Sequence, residues 1–104
     1  MNDSQVVDET VGPVLEKTKM GRILIEAISQ INNEVQIIDQ GSYVRVLTKR
    51  RCVLSKKLVE QLSLEPFYLP QDLEPLMPSF KGTFFVDENQ ATWQFDEGSA
   101  YGEK

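Results

Sequence analysis

Apolar positions recur at helical spacing after Thr18, and this stripe is the clearest structural signal in the chain. Its members are Met20, Ile23, Leu24, Ala27, Ile28 and Ile31. A spacing of three and four residues predicts an amphipathic helix with Thr18 as its N-cap. Ile25 falls outside the stripe. We expect Asn32-Asn33 to end the helix, because Asn tolerates the left-handed conformation common just past a helix C-terminus.

Runs of β-forming residues surround this helix. Val11–Leu15 precedes it, and Val35–Asp39 and Tyr43–Leu47 follow it, joined by a Gly-containing loop of hairpin length. Pro13 predicts that the first run lies at a sheet edge or begins a strand, since proline cannot donate to a ladder. The first half of the chain is therefore predicted as strand-helix-strand-strand.

The second half begins with a short predicted strand at Cys52–Leu54. Ser55 is the predicted N-cap of a second helix, which carries apolar residues at 58, 59 and 62 and stops before Pro66. Pro70 suits the first turn of a brief third helix with Leu73 as its apolar anchor.

An aromatic-rich hairpin closes the domain. Two strand runs, one ending at Val86 and the other at Ala91–Phe95, are separated by the polar connection Asp87–Gln90. The second half is predicted as strand-helix-helix-strand-strand, and the fold class as α+β. With 104 residues we expect one compact domain over 11–96, a flexible N-terminal arm over 1–10 and a flexible tail over 97–104.

The chemistry open to this chain is narrow because it contains no histidine and a single cysteine. Histidine is the usual general acid or base at neutral pH and the commonest metal ligand, and one thiol cannot build a disulfide or a thiolate cluster. Cys52 is either a buried inert thiol or one activated by the neighbouring arginines. The carboxylate pairs Asp87-Glu88 and Asp96-Glu97 flank a turn and a terminus, which are poor settings for catalysis.

The net charge of −5 argues against general binding of nucleic acid or anionic membranes. Basic residues nevertheless cluster in the middle of the chain, at Lys49, Arg50, Arg51, Lys56 and Lys57. This cluster is either a solvated loop or a surface that steers a partner. No apolar run reaches the roughly 18 residues of a membrane span, and the N-terminus lacks a secretory signal, so we expect a cytoplasmic protein.

The segment Lys81–Val86 partly matches the aromatic strand motif of RNA-recognition domains. It departs from that motif at Thr83, Phe84 and Glu88. A small domain that binds single-stranded nucleic acid therefore stays as the alternative function, and a carboxylate-dependent enzyme as a third.

As a whole, the sequence resembles the effector proteins of bacterial multicomponent diiron monooxygenases, most closely the toluene 4-monooxygenase branch. The similarity is carried, in order, by Val11-Gly12-Pro13-Val14, Gly41-Ser42-Tyr43-Val44-Arg45-Val46, Val53-Leu54-Ser55-Lys56-Lys57-Leu58, Glu60-Gln61-Leu62, Pro66-Phe67, Asp72-Leu73, Ser79-Phe80-Lys81-Gly82 and Asp87-Glu88-Asn89-Gln90.

This resemblance implies a regulatory protein, not an enzyme, that carries no metal and no organic cofactor and is a monomer when free. It implies binding to a diiron hydroxylase over its active site, where the effector changes active-site geometry, substrate access and the coupling of oxygen activation to hydroxylation. The short N-terminal arm favours a hydroxylase acting on an aromatic or alkene substrate over one acting on methane.

By the same resemblance, the hydroxylase-facing residues are expected around the Ser-Phe-Lys-Gly corner. The predicted interface consists of Leu76, Met77, Ser79, Phe80 and Lys81, with Lys56 and Lys57 as steering charges. Leu76 replaces an Asn found in many relatives, which suggests a different substrate gate. For Met77 and Phe80 a place in the core is the alternative.

Overall fold

Two antiparallel sheets and two helices make up the fold in the computed structural model, which describes residues 9–96. The elements in chain order are β1 (Thr10–Glu16), α1 (Lys19–Ile31), β2 (Gln36–Asp39), β3 (Tyr43–Lys49), β4 (Arg51–Ser55), α2 (Lys56–Ser63), β5 (Ser79–Lys81), β6 (Thr83–Val86) and β7 (Gln90–Gln94). One sheet has the order β2-β3-β1-β5 and the other β4-β7-β6. The predicted α+β class is confirmed.

β1 occupies the interior of the first sheet, so the prediction that Pro13 places it at an edge is wrong. β1 pairs with β3 on one side and with β5 on the other. Thr10–Val11 and Val14–Glu16 pair with β3, whereas the two residues between them do not. Gly12 has a φ of +147°, and a Cβ there would lie 2.0 Å from the Val46 carbonyl oxygen, so the chain approaches β3 too closely for a side chain.

Helix α1 begins as predicted but ends by a different device. The Gly21 amide donates to Thr18 Oγ1 at 3.0 Å, which confirms the N-cap. Asn32 is not left-handed; its backbone is extended, with φ −118° and ψ 153°. Ile31 at the end of the stripe is 46% exposed, whereas Ile25 packs against the core.

The Asn32 side chain links α1 to the edge strand β4. Its Nδ2 donates to the carbonyls of Ile28 (2.7 Å) and Val53 (2.8 Å), and its Oδ1 accepts from the Val53 amide at 3.0 Å. The Asn32 amide group thus provides a hydrogen-bond partner for the Ile28 carbonyl of the helix and for both the amide and the carbonyl of Val53. For Val53 it takes the place of a neighbouring strand.

The predicted third helix is reduced to a single 3₁₀ turn at Glu74–Leu76, which lies later than predicted because residues 69–73 form turns instead of a helix. Leu73 is fully buried, in agreement with its expected role as an anchor. An additional strand, β5, follows this turn. It was not predicted, because three residues show no period and its partner β1 lies far away in sequence.

Gly82 turns the chain from one sheet into the other. β5 belongs to the first sheet and β6 to the second, and Gly82 between them has φ +107°. A Cβ at Gly82 would lie 2.8 Å from Val11 Cγ1 and 3.0 Å from the Gln94 carbonyl oxygen. The two sheets and the helices enclose one core, with Trp93 and Phe67 among its fully buried side chains.

Glu9 and Thr10, assigned above to the arm, belong to the fold: β1 begins at Thr10, and the Arg50 amide donates to the Glu9 carbonyl at 2.8 Å. The rest of the predicted arm (1–8) and the predicted tail (97–104) lie outside the described residues. No helix within residues 9–96 is long and apolar enough to cross a membrane.

Candidate interaction surface

The residue 76–81 segment, which carries most of the predicted interface, is anchored by buried side chains in the core. Leu73 and Met77 are buried on either side of the 3₁₀ turn, with 0% and 9% exposure, so Met77 is a core residue. Leu76 is half-buried against the same core. The two anchors hold the turn close to the body of the protein, and the chain leaves it directly into β5.

Residues of β5 are exposed but do not all face one way. Ser79 and Lys81 lie opposite Val14 and Gly12 of β1, and Phe80 lies opposite Pro13. Because successive side chains of a strand point to opposite faces, Phe80 is directed away from Ser79 and Lys81. A flat partner surface therefore meets either Phe80 or the two polar residues, unless it wraps around this edge strand.

Phe80 is the outer end of a row of aromatic rings that reaches the core. Its ring centroid lies 5.3 Å from that of Phe84, which lies 5.4 Å from that of Trp93. Phe80 is 45% exposed and Trp93 fully buried. The indole Nε1 of Trp93 has no hydrogen-bond partner among the described residues. Phe80 is thus linked to the buried Trp93 by a continuous row of ring contacts through Phe84.

The two lysines predicted to steer a partner differ in their surroundings. Ser55 Oγ accepts from the Leu58 amide at 3.3 Å, which confirms the N-cap of α2 and places both lysines in its first turn. Lys56 is half-buried; it donates to Glu60 at 2.6 Å, and its ammonium lies 5.5 Å from the centre of the Tyr68 ring. Lys57 is exposed. Lys56 therefore has a structural role in addition to its charge.

Glu60 connects α2 to the loop that follows it. Its carboxylate accepts from Lys56 and, at 2.8 Å, from the Phe67 amide. These two hydrogen bonds, that from Lys56 first, hold the pKa of Glu60 below its ordinary value. The contacts of Lys56 are thus made within α2 and the residue 64–68 loop, not with the residue 76–81 segment.

Of the residues considered above for enzymatic chemistry, Cys52 and Asp87 are part of the fold's own packing and turns, and Glu97 lies outside the described residues. Cys52 is fully buried, and burial raises the pKa of its thiol to about 12, so the inert-thiol interpretation is confirmed. Asp87 Oδ1 accepts from the amides of Asn89 (2.7 Å) and Gln90 (2.9 Å), which shapes the hairpin turn. Among residues 9–96, no three potential ligands of the His, Cys, Asp or Glu type come together for a metal ion.

The stretch that partly matches an RNA-recognition strand is divided between the two sheets. Lys81 ends β5, Gly82 forms the corner and only Thr83–Val86 continue as β6. Phe84 packs against Trp93 and Phe80, so it is not available to stack on a base. The structure therefore lacks the continuous aromatic strand that this alternative needs.

Comparison with protein-family models finds a match to the MmoB/DmpM family over residues 9–94. The chain belongs to this family. A relative from Xanthobacter autotrophicus strain Py2, the effector subunit of an alkene monooxygenase system, is 32% identical over 90 residues, which is 85% of this chain and 88% of that protein. The family resemblance predicted from the sequence is confirmed.

Solved structures of other proteins share the fold. A chain in the structure of a phenol hydroxylase–regulatory protein complex superposes with a TM-score of 0.77 at 18% identity, over 84% of this chain and 99% of that one. The soluble methane monooxygenase regulatory protein B superposes with a TM-score of 0.66 at 20% identity, over 95% of this chain and 76% of that one.

Sequence reasoning did not single out two exposed apolar side chains near the end of α2. Leu64 is 88% exposed just past the end of α2, and Tyr68 is 57% exposed four residues later. The only local signal was a leucine between the end of the helical pattern and Pro66, a place where glycine is usual.

Proposed function

We propose that this protein is the effector of a soluble diiron monooxygenase and acts without a cofactor of its own. In this proposal it binds the hydroxylase component in the cytoplasm and raises the coupling of oxygen activation to hydroxylation of an aromatic or alkene substrate. Membership of the MmoB/DmpM family and the 32% identity to an alkene monooxygenase effector subunit support it. A substrate of the toluene 4-monooxygenase type fits the same proposal.

The observation that carries the proposal at the level of residues is the half-exposed Phe80 on β5, the short edge strand of the first sheet. An aromatic side chain at a protein surface is a frequent energetic centre of an interface. Leu76 lies near Phe80 in the chain, and Met77 supports the segment from the core. Ser79 and Lys81, on the other face of β5, contact the hydroxylase where it wraps around this edge strand.

Regulation follows if the effector binds one conformation of the hydroxylase better than another. A ligand shifts a conformational equilibrium only by its differential affinity for the two states. Each ~1.4 kcal/mol of difference in binding free energy changes the ratio of the two hydroxylase conformations tenfold. A few contacts around Phe80 that form in only one conformation are therefore sufficient to shift the equilibrium.

The first experiment measures product formed per NADH consumed by the purified hydroxylase, reductase and ferredoxin of the same operon as this protein is added. We expect a saturable rise in rate and coupling. The absence of any effect on a hydroxylase known to be competent would overturn the proposal, and a titration with single-stranded RNA at low salt would then test the alternative.

Replacing Phe80 by alanine is expected to weaken hydroxylase binding about tenfold, because a central aromatic contact is lost. Phe85→Ala is the matched control, since Phe85 is 56% exposed and lies on the opposite face of β6 from Phe84. Circular dichroism should show both variants folded. Equal affinities of wild type and Phe80→Ala, or an unfolded Phe80→Ala variant, would remove Phe80 from the interface.

Lys57→Glu is expected to slow association with the hydroxylase more at low than at high salt, because exposed rim charges act mainly through long-range steering. Lys57 is the cleaner choice of the two lysines, since Lys56→Glu would also break the ion pair with Glu60. Stopped-flow binding measures the rate, with Lys19→Glu on α1 as the control. If the association rates of Lys57→Glu and Lys19→Glu depend on salt to the same extent, Lys57 does not steer the hydroxylase.

A further inference from the structure

Helix α2 ends with a leucine in a conformation that leucine disfavours. Leu64 has φ 61° and ψ 29°, and its amide donates to the Glu60 carbonyl at 2.9 Å, which completes the last turn. In the left-handed region a Cβ crowds the backbone, so glycine or asparagine normally occupies such a helix end. The backbone geometry therefore gives no reason for leucine here.

Burial gives no reason for leucine either. The side chain is 88% exposed, the highest value among the exposed large apolar residues of the described chain. An exposed leucine is ordinary by itself. At Leu64, however, the exposed side chain makes too little contact within the described residues to offset the cost of the left-handed backbone.

The loop that carries Leu64 is held firmly in place. Glu60 accepts from the Phe67 amide, and Ser63 Oγ accepts from the Glu65 amide at 3.2 Å. The buried Phe67 anchors the loop in the core. Leu64 is therefore presented on a preorganised support, which lowers the entropy lost on binding.

Leu64 is also continuous with the predicted steering charge. Lys57, Gln61 and Leu64 are all exposed and recur at i, i+4 and i+7, so they form one stripe along α2. Tyr68, 57% exposed beneath the Lys56 ammonium, adds an aromatic ring to the same loop. Charges of both signs surround these apolar groups, since Lys57 and Glu65 are exposed and Lys56 is paired with Glu60. An apolar centre with a polar rim is the usual composition of an interface.

We propose that Leu64, flanked by Tyr68, is a docking residue that enters an apolar pocket with a rim of mixed charge on the hydroxylase component. This inference rests on the function proposed above. The exposed Leu64 side chain selects for an apolar interior, and the exposed Lys57 and Glu65 near it in the chain select for polar groups of both charges around the pocket.

The test uses substitutions that suit the backbone better than leucine does. Leu64→Gly and Leu64→Asn both fit a positive φ, so they separate folding from binding. Glu34→Gly is the matched control, because Glu34 is exposed and has φ 52° but lies outside the stripe. The dissociation constant for the hydroxylase is measured by calorimetry, and the melting temperature by circular dichroism.

We expect both Leu64 variants to bind the hydroxylase at least about tenfold more weakly, with melting temperatures no lower than wild type. Glu34→Gly should bind within about twofold of wild type. Leu64 variants that keep wild-type affinity, or that lose affinity only because they melt earlier, would overturn the inference.

The outcomes also separate this inference from the proposed function. If the wild-type protein fails to bind its hydroxylase, the proposed function fails with it. If the wild type binds and the Leu64 variants bind equally well, only the docking role of Leu64 fails. Leu64 could instead contact a second copy of this protein, and sedimentation of the free protein tests this. A wild-type dimer that Leu64→Gly converts to a monomer, with hydroxylase affinity unchanged, would overturn the inference.

Discussion

The two helices end in opposite ways. Helix α1 ends at Asn32, whose extended backbone and side-chain amide join the helix to strand β4. Helix α2 ends at Leu64, whose backbone is left-handed and whose side chain extends into solvent. The first end contributes to stability through hydrogen bonds across the fold, whereas the second presents a side chain that the fold does not use.

The strongest test of this contrast is Asn32→Ala, which removes three hydrogen bonds. The Val53 carbonyl and amide on the edge of β4 then lose the Asn32 side chain as their partner. We expect the free energy of unfolding to fall by about 2–4 kcal/mol, because polar groups of an inward-facing edge lose their partners. Urea unfolding measures it. Asn33→Ala, at an exposed neighbouring position, is the control. A loss below about 0.5 kcal/mol for Asn32→Ala would show that water replaces the side chain without cost.

A smaller effect of the opposite sign is expected at the second helix end. Leu64→Gly should leave the free energy of unfolding unchanged or raise it by up to about 1 kcal/mol, since relief of the left-handed strain is partly offset by the greater freedom of glycine in the unfolded chain. The same urea measurement applies. A clear loss of stability would mean that the Leu64 side chain packs in solution, and the contrast between the two ends would then disappear.

The smallest effect concerns pH. The end of α1 is held by a neutral amide, whereas the loop after α2 is held by the Glu60 carboxylate, whose pKa lies below the ordinary value of 4.5. A carboxylate whose pKa is lowered on folding contributes stability that is complete above about pH 4.5 and is lost as pH falls through its folded pKa. Acid should therefore loosen the loop after α2 while leaving the Asn32 contacts unchanged.

Nuclear magnetic resonance can separate these two sites. The Phe67 amide shift should titrate with Glu60, while the Val53 amide shift should stay constant over the same range. Glu60→Gln should abolish the Phe67 titration, and Asp39→Asn, which removes another carboxylate of lowered pKa, should not. A Val53 shift that follows the same curve would contradict a local origin of the pH effect.

Local features of the fold were predictable because they depend on neighbouring residues. The N-caps Thr18 and Ser55 and the Asp87–Gln90 hairpin all follow from short-range hydrogen bonding and periodicity. Features that depend on distant partners were not. Nothing near Pro13 indicates that β5 will pair with β1 from the other side, and nothing near Asn32 indicates that its amide will reach Val53.

The candidate surface shows the same division. The sequence indicated the residue 76–81 segment through the family resemblance, but it could not separate the buried Met77 from the half-exposed Phe80, since both are large and apolar. Leu64 escaped notice because its significance lies in a backbone angle and an exposed fraction, and neither is encoded by residue type.

By itself, the sequence determined the α+β class, the two helices with their starting residues, the narrow chemistry of a chain without histidine, and the family. Only the tertiary structure decided that β1 is internal, that Gly82 turns the chain between two sheets, and which apolar residues remain exposed. The physical reason is that hydrogen bonds and periodicity within a helix or hairpin act over a few residues. Strand partners and burial depend instead on contacts between residues distant in the chain.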